Sequence, residues 1–200
     1  MGDSVRFYFD FSSPYSYFAA QKIDATLEAC GRNCTWHPFL LGALFKITGS
    51  APLTTIPIKG DYCRHDWERM GKMMNVAWTL PDPFPIPTQA AARAFYWLDD
   101  QDPDLAKRFA LAAFDTYFGR GRDITAAEAV AELAAGLGAD GDALLTALGD
   151  DALKQRLKDE TAQAIDAGVF GAPFFIVDGE HFWGNDRLWM IKRWIKGQAA

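Results

Sequence analysis

The sequence predicts an α/β fold with a large all-helical insertion. Alternating apolar and polar residues near the start of the chain, and a short apolar run with a turn signal near its end, are typical of β-strands. The long segment between them has apolar residues at helical spacing instead. The chain has 200 residues, 50% of them hydrophobic, so it can bury a sizeable core within one compact unit.

The first forty residues predict a strand, a helix and a second strand. Apolar residues alternate along 5–11 and define one face of the first strand. Ser12-Ser13-Pro14 ends that strand and is a favourable helix start, because proline is tolerated in the first helical turn. Gly31 ends the helix and residues 35–41 predict the second strand, so this part opens a βαβ unit.

Residues 59–166 predict a mostly helical segment. Its longest irregular part is 76–87, which contains four prolines. Thr88 is positioned to cap the helix that follows this loop. Thr125 and Glu128 have the spacing of a capping box, which predicts the start of a later helix.

The end of the chain predicts a hairpin and a last helix. The apolar run 173–177 is followed by the turn signal Asp178-Gly179 and by a return strand over 180–183. Gly197 marks the end of the last helix. The resulting order, β-α-β, helical block, β-β-α, is the outline of a thioredoxin-like fold with a helical insertion.

This order also predicts how the chain divides into domains. Residues 1–58 and 167–200 would form the thioredoxin-like domain. Residues 59–166 would form the helical insertion domain.

Composition and charge argue against a nucleic-acid or membrane partner. The formal net charge is -6, whereas binding to phosphates needs a cationic face. No apolar run is long enough to span a bilayer. The N-terminus lacks the basic start, apolar stretch and cleavage site of a signal peptide. We therefore expect a soluble cytoplasmic protein.

The cysteines and histidines predict neither a disulfide framework nor a metal site. Three cysteines are too few and odd in number for a secreted disulfide scaffold, and we expect free thiols in or near the core. The histidines are scattered and lack the spacing of metal ligands. The residues concerned are Cys30, Cys34, Cys63, His37, His65 and His181.

Three stretches could carry chemistry. The helix start at 12–17 offers unpaired N–H groups that stabilise anions, thiolates included, although the serines there could be simple caps. The bond between Ala172 and Pro173 could be cis, or Pro173 could be a trans proline on an edge strand. Asn185 and Asp186 could bind a ligand, or they could merely cap the last helix.

Taken together, these stretches resemble one family. The resemblance spans essentially the whole chain, with the motifs in family order, and the family is that of 2-hydroxychromene-2-carboxylate isomerases and kappa-class glutathione transferases, in the DsbA-like branch of the thioredoxin superfamily. The segments that carry it are Phe7–Tyr17, 41–49, 56–62, Gly168–Pro173 and Phe182–Arg187.

The resemblance implies a glutathione site. Ser13 matches the catalytic serine, whose hydroxyl would donate to the glutathione sulfur, and with Ser16 it stands where redox relatives carry the two cysteines of C-x-x-C. Serine cannot form a disulfide, so this site cannot exchange dithiols. The residues that would contact glutathione are Ser13, Ser50, Lys59, Ala172, Pro173, Asn185 and Asp186. Ser50 and Pro87 depart from the pattern, since relatives often have asparagine at both positions.

The resemblance also implies the reaction. It would be the isomerisation of 2-hydroxychromene-2-carboxylate to trans-o-hydroxybenzylidenepyruvate, or of a similar aromatic small molecule, with glutathione as a recycled nucleophile in a homodimer. Two alternatives remain open: a kappa-type transferase or peroxidase that consumes glutathione, and a non-catalytic glutathione-binding module. A redox role through Cys30 and Cys34 is disfavoured, because they lie at the end of the first helix, away from its positive pole.

Overall fold

A four-stranded mixed sheet lies at the centre of the fold. The computed structural model describes residues 4–198. The strands are β1 (Val5–Phe9), β2 (Cys34–Pro38), β3 (Phe174–Val177) and β4 (Glu180–Trp183), in the order β2-β1-β3-β4. β2 runs parallel to β1, while β3 is antiparallel to both β1 and β4. The predicted thioredoxin-like outline is confirmed.

Ten helices surround the sheet in the described part of the chain. They are α1 (Pro14–Ala20), α2 (Ile23–Glu28), α3 (Leu41–Thr48), α4 (Lys59–Met74), α5 (Gln89–Asp99), α6 (Pro103–Phe114), α7 (Ala127–Ala135), α8 (Gly141–Leu148), α9 (Asp151–Asp166) and α10 (Leu188–Ile195). Short 3-10 turns cover Leu53–Thr55 and Asn185–Arg187, and a π-helical turn covers Asp115–Gly119. The predicted helical block and the irregular loop over 76–87 are confirmed.

Aromatic packing joins the sheet to the helical block. Phe7 of β1 stacks on Phe175 of β3, with ring centroids 5.2 Å apart. Phe9, the last residue of β1, contacts Phe95 of α5 at 5.8 Å and Phe114 of α6 at 5.7 Å. All of these rings are fully buried, and each contributes about 1.5–3 kcal/mol through loss of apolar surface to water. The end of β1 is therefore held rigidly where the candidate site begins.

Two local predictions in this framework are wrong. The first predicted helix is two helices, because Lys22 leaves the helical region at φ -131°, and the apolar spacing continues unchanged across the break. The capping box at Thr125 does not form. The amide and hydroxyl of Thr125 both donate to the Asp123 carboxylate instead, and α7 begins two residues later with no side-chain cap.

Candidate functional site

Ser13 caps the first helix after β1, as predicted. Its backbone is extended (φ -102°, ψ 110°), and Pro14 occupies the first helical position. The Ser13 hydroxyl accepts a hydrogen bond from the Ser16 N–H over 3.2 Å. The N–H groups of this first turn carry the positive pole of the helix, so α1 begins at a point that stabilises an anion.

The C-terminal loop meets this helix start. The Ser13 hydroxyl donates to the carbonyl oxygen of Ala172 over 3.1 Å, and the peptide bond from Ala172 to Pro173 is cis. The Pro173 carbonyl in turn accepts from the Gly184 N–H over 3.0 Å. Among residues 4–198 the Ala172 N–H has no hydrogen-bond partner, so it is available to an extended backbone laid against it.

Asn185 and Asp186 lie in the 3-10 turn that packs beside α1. Asn185 does not cap the last helix as predicted, because α10 starts three residues later without a side-chain cap, and the Asn185 amide donates to the Met70 sulfur of α4 at 3.8 Å. Asp186 is exposed and pairs with Arg187 at 2.5 Å. Gly184 has φ +107°, and a Cβ there would lie 2.6 Å from Asp186 Oδ1. Glycine is therefore needed to bring this turn to the site.

Lys59 and Ser50 are the two predicted contact residues that the structure does not connect to the rest of the candidate site. Lys59 is the first residue of α4, and both side chains are exposed. Within the described range, neither makes a hydrogen bond or ion pair with Ser13, Ala172 or Asn185. Ile58 has φ +68°, with a 2.7 Å bond from the Lys59 N–H to the Pro57 carbonyl, which is a strained γ-turn. Strained backbone of this kind concentrates at functional positions.

Within residues 4–198 the first turn of α1 contains no cysteine, although the Cys63 thiol of α4 lies beside the Tyr15 hydroxyl. Ser16 is completely buried, and its hydroxyl has no hydrogen-bond partner in the described chain. Cys30, Cys34 and Cys63 are free, as predicted. Burial raises the pKa of the Cys34 thiol and, to a lesser degree, that of Cys63, which keeps both protonated at neutral pH.

Sequence reasoning missed two carboxylates next to this helix start. Asp66 of α4 accepts from the Tyr15 hydroxyl over 2.9 Å and also pairs with Arg69, so it ties α4 to the helix start. Asp10 is buried directly before the Ser12-Ser13 turn. Tyr15 and Asp10 stand inside the motif that carries the resemblance, but their partners are distant in sequence, so no local pattern indicates them.

The proline-rich loop 76–87 packs beside α1 and is hydrogen-bonded to α1 and to the turn before it. The Tyr17 hydroxyl donates to the Ala77 carbonyl over 2.6 Å, and the Ile86 N–H donates to the Ser12 hydroxyl over 3.1 Å. Trp67, fully buried on α4, packs against Trp78 at 5.9 Å and Phe84 at 5.8 Å. The rings of Trp67, Trp78 and Phe84 therefore lie next to the first turn of α1, which follows Ser13.

Residues 4–198 contain neither a candidate metal site nor a helix that could span a membrane. No group of three or more His, Cys, Asp or Glu side chains could hold a metal ion. No helix in this range is both long and apolar enough to cross a bilayer.

Comparison with known proteins identifies the family of this chain. The family of DSBA-like thioredoxin domains matches residues 4–196. A 2-hydroxychromene-2-carboxylate isomerase of Sphingobium xenophagum is 30% identical over 98% of this chain and 99% of its own. Glutathione S-transferase kappa 1 of Caenorhabditis elegans is 28% identical over 94% of this chain and 88% of its own.

The fold agrees with a solved relative. The structure of a 2-hydroxychromene-2-carboxylate isomerase superposes with a TM-score of 0.88 at 25% identity, covering 98% of this chain and 95% of that one. The chain therefore belongs to the 2-hydroxychromene-2-carboxylate isomerase and kappa-class glutathione transferase family, among the DSBA-like thioredoxin domains.

Proposed function

We propose that this protein is a glutathione-dependent isomerase that interconverts 2-hydroxychromene-2-carboxylate and trans-o-hydroxybenzylidenepyruvate, or a similar aromatic compound. The observation that carries the proposal is the Ser13 hydroxyl, held at the positive end of α1 against the Ala172 carbonyl. Such a site suits a sulfur anion, and α1 begins with serine rather than cysteine, so the sulfur must come from a ligand.

The side chains present fit a γ-glutamyl tripeptide. The exposed Asp186 carboxylate would bind the ammonium group, and the exposed Lys59 ammonium would bind the carboxylate at the glycine end. The free N–H of Ala172, before cis-Pro173, would pair with the cysteinyl backbone. Asn185 and Ser50 would add polar contacts at the two ends.

In this mechanism Ser13 is the catalytic residue. Its hydroxyl would turn from the Ala172 carbonyl to donate to the sulfur, and the free Tyr15 N–H at the positive end of α1 would help to lower the thiol pKa from its ordinary value of about 8.5. Opening of the chromene hemiketal breaks its ring C–O bond, and the hydroxyl proton passes to the phenolic oxygen to give the open-chain enone. Bound glutathione would supply a thiolate for reversible addition to the conjugated double bond of that enone, with a proton gained at the neighbouring carbon and returned on expulsion, so that rotation about the former double bond can give the trans isomer. No oxidant or reductant is needed, because glutathione is regenerated.

An absorbance assay of the chromene acid with and without glutathione tests the proposal. We expect a rate that saturates with glutathione, with no conjugate accumulating. A stable conjugate or oxidised glutathione in the products would instead indicate the transferase or peroxidase activity that the kappa-class relatives suggest. Glutathione binding without turnover of any electrophile would indicate a binding module, and turnover independent of glutathione would contradict the proposal.

We further propose that the enzyme works as a homodimer, on the basis of the family resemblance. Sedimentation equilibrium at micromolar concentration tests this point. A single species at the 22.2 kDa chain mass would contradict it.

A further inference from the structure

Asp10 is a buried carboxylate at the junction of three chain segments. Its Oδ1 accepts from the Ser12 N–H over 2.7 Å, and its Oδ2 accepts from the Leu41 N–H over 2.8 Å, where α3 begins. The Thr88 hydroxyl, directly before α5, lies next to the Asp10 carboxylate and is placed to donate to it. The backbone carbonyl of Asp10 accepts from the Ser13 N–H over 2.9 Å.

These three bonds and the neighbouring Thr88 hydroxyl define the turn that carries the candidate site. The N–H groups of Ser12 and Ser13 both point back to Asp10, which fixes the backbone of the two residues before Pro14. The first free N–H group is then that of Tyr15, because Pro14 has none and the Ser16 N–H donates to the Ser13 hydroxyl. The bonds to Leu41 and Thr88 hold the same turn against the start of α3 and the start of α5.

The Asp10 carboxylate is buried without a cationic partner in the described part of the chain. Asp10 is 5% exposed and forms no ion pair with any residue in 4–198. Burial raises the pKa of its carboxyl, and the bonds from the Ser12 and Leu41 N–H groups and from Thr88 only partly oppose that rise. A neutral side chain would fold here without the cost of desolvating a charge. A charged hydrogen-bond acceptor at this buried position is explained if Asp10 holds the turn of the candidate site in place.

We propose that Asp10 is a positioning residue, which holds the backbone of Ser12 and Ser13 so that the Ser13 hydroxyl and the free Tyr15 N–H can stabilise the glutathione thiolate. The inference rests on the proposed function and deepens it. Asp10 acts through Ser12 and Ser13 and touches no reacting atom.

The substitution Asp10→Asn tests this inference. Asparagine has the same shape but only one acceptor oxygen, so the N–H of either Ser12 or Leu41 loses its partner. We expect kcat/KM to fall by roughly tenfold to a hundredfold, as small misplacements of catalytic groups do. The melting temperature should stay within about 5 °C of the wild-type value. Removing the buried charge of Asp10 stabilises the fold and offsets the loss of one hydrogen bond.

The thiol of bound glutathione gives a readout that a purely structural role would not move. Its thiolate absorbance is titrated against pH in wild type and variant, and Tyr117, which also faces this turn, stays protonated because burial raises its pKa. We expect the thiol pKa to rise in Asp10→Asn, towards the value of about 8.5 for a free thiol. Loss of the negative charge of Asp10 would by itself lower the thiol pKa. An unchanged or lowered thiol pKa in Asp10→Asn would therefore overturn the inference.

A second pair of variants keeps the test decisive if Asp10→Asn does not fold. Thr88→Val removes one donor to the carboxylate, and Thr88→Ser retains it as the matched control. A thiol pKa raised in the valine variant and unchanged in the serine variant supports the inference, while wild-type values in both overturn it. If wild type itself binds no glutathione, the proposed function fails, which is a separate outcome.

Discussion

The Ser13 hydroxyl donates to the carbonyl oxygen of Ala172 over 3.1 Å, although 159 positions separate the two residues in the chain. This bond joins the positive end of α1 to the loop that contains cis-Pro173. A peptide paired with the Ala172 backbone would therefore lie beside the hydroxyl and the helix terminus together. Two of the five sequence segments that carry the family resemblance meet at this contact.

Replacing Ser13 with alanine should separate catalysis from binding. We expect kcat/KM to fall by roughly a hundredfold, because one donor to a developing anion is lost, while calorimetry still detects glutathione binding. The lost helix cap should also lower the free energy of unfolding by about 1 kcal/mol in urea.

Asp102→Ala is the matched control for that cap loss. Asp102 caps α6 through bonds to the N–H groups of Asp104 and Leu105, on a different helix from the candidate site. This variant should lose similar stability and keep wild-type kcat/KM. Wild-type turnover in Ser13→Ala would contradict a catalytic role for this hydroxyl.

The double substitution Ser13→Cys, Ser16→Cys should introduce a redox activity that the wild type lacks. It creates a C-P-Y-C sequence at the start of α1, where the helix dipole lowers a thiol pKa. We expect the variant, but not the wild type, to catalyse insulin reduction by a dithiol. Insulin reduction by the wild type that disappears in Cys30→Ser, Cys34→Ser would show that a different site carries redox chemistry.

Lys59 and Asp186 should affect glutathione binding rather than chemistry. Lys59→Met and Asp186→Asn should each raise the KM for glutathione roughly tenfold, the equivalent of one charged hydrogen bond of about 1.5 kcal/mol, with kcat nearly unchanged. Lys72→Met, at an exposed position near the other end of α4, is the matched control and should leave KM unaltered. Unchanged KM in both test variants would remove these residues from the site.

His37 should make stability depend on acid pH. Burial, together with the nearby Arg6, lowers the pKa of His37 to about 4, below its unfolded value of about 6.5. Its contribution to stability is therefore complete above about pH 6.5 and is lost as pH falls towards 4.

Urea unfolding at pH 7 and pH 5 measures this contribution. Wild type should lose about 1–2 kcal/mol more than His37→Gln over that range. The exposed His65→Gln, as the control, should behave like wild type. Equal losses in wild type and His37→Gln would show that the histidine is not held neutral.

Sequence periodicity predicts the strands and most helices because their buried faces repeat at fixed spacing. It missed the break at Lys22, since the apolar positions on both sides stay in phase. The spacing of Thr125 and Glu128 predicted a capping box that does not form. The Thr125 amide and hydroxyl donate to the Asp123 carboxylate instead. Local competition between polar groups is decided by geometry that spacing does not contain.

The candidate site was only partly predictable for a similar reason. The Ser13 cap and the possibility of a cis bond at Pro173 follow from local sequence, and the structure contains both. Asn185 was expected to cap α10 and instead bonds to Met70, because a 3-10 turn precedes that helix. The contacts of Asp10 with Leu41 and Thr88 depend on the folding of distant segments, so they emerge only from the structure.

A crystal structure of the protein with glutathione tests the central claim most directly. We predict that the tripeptide lies along Ala172, with its sulfur within hydrogen-bond distance of the Ser13 hydroxyl and in front of the first N–H groups of α1. A sulfur located away from Ser13, or crystals that remain free of glutathione at saturating concentration, would contradict it.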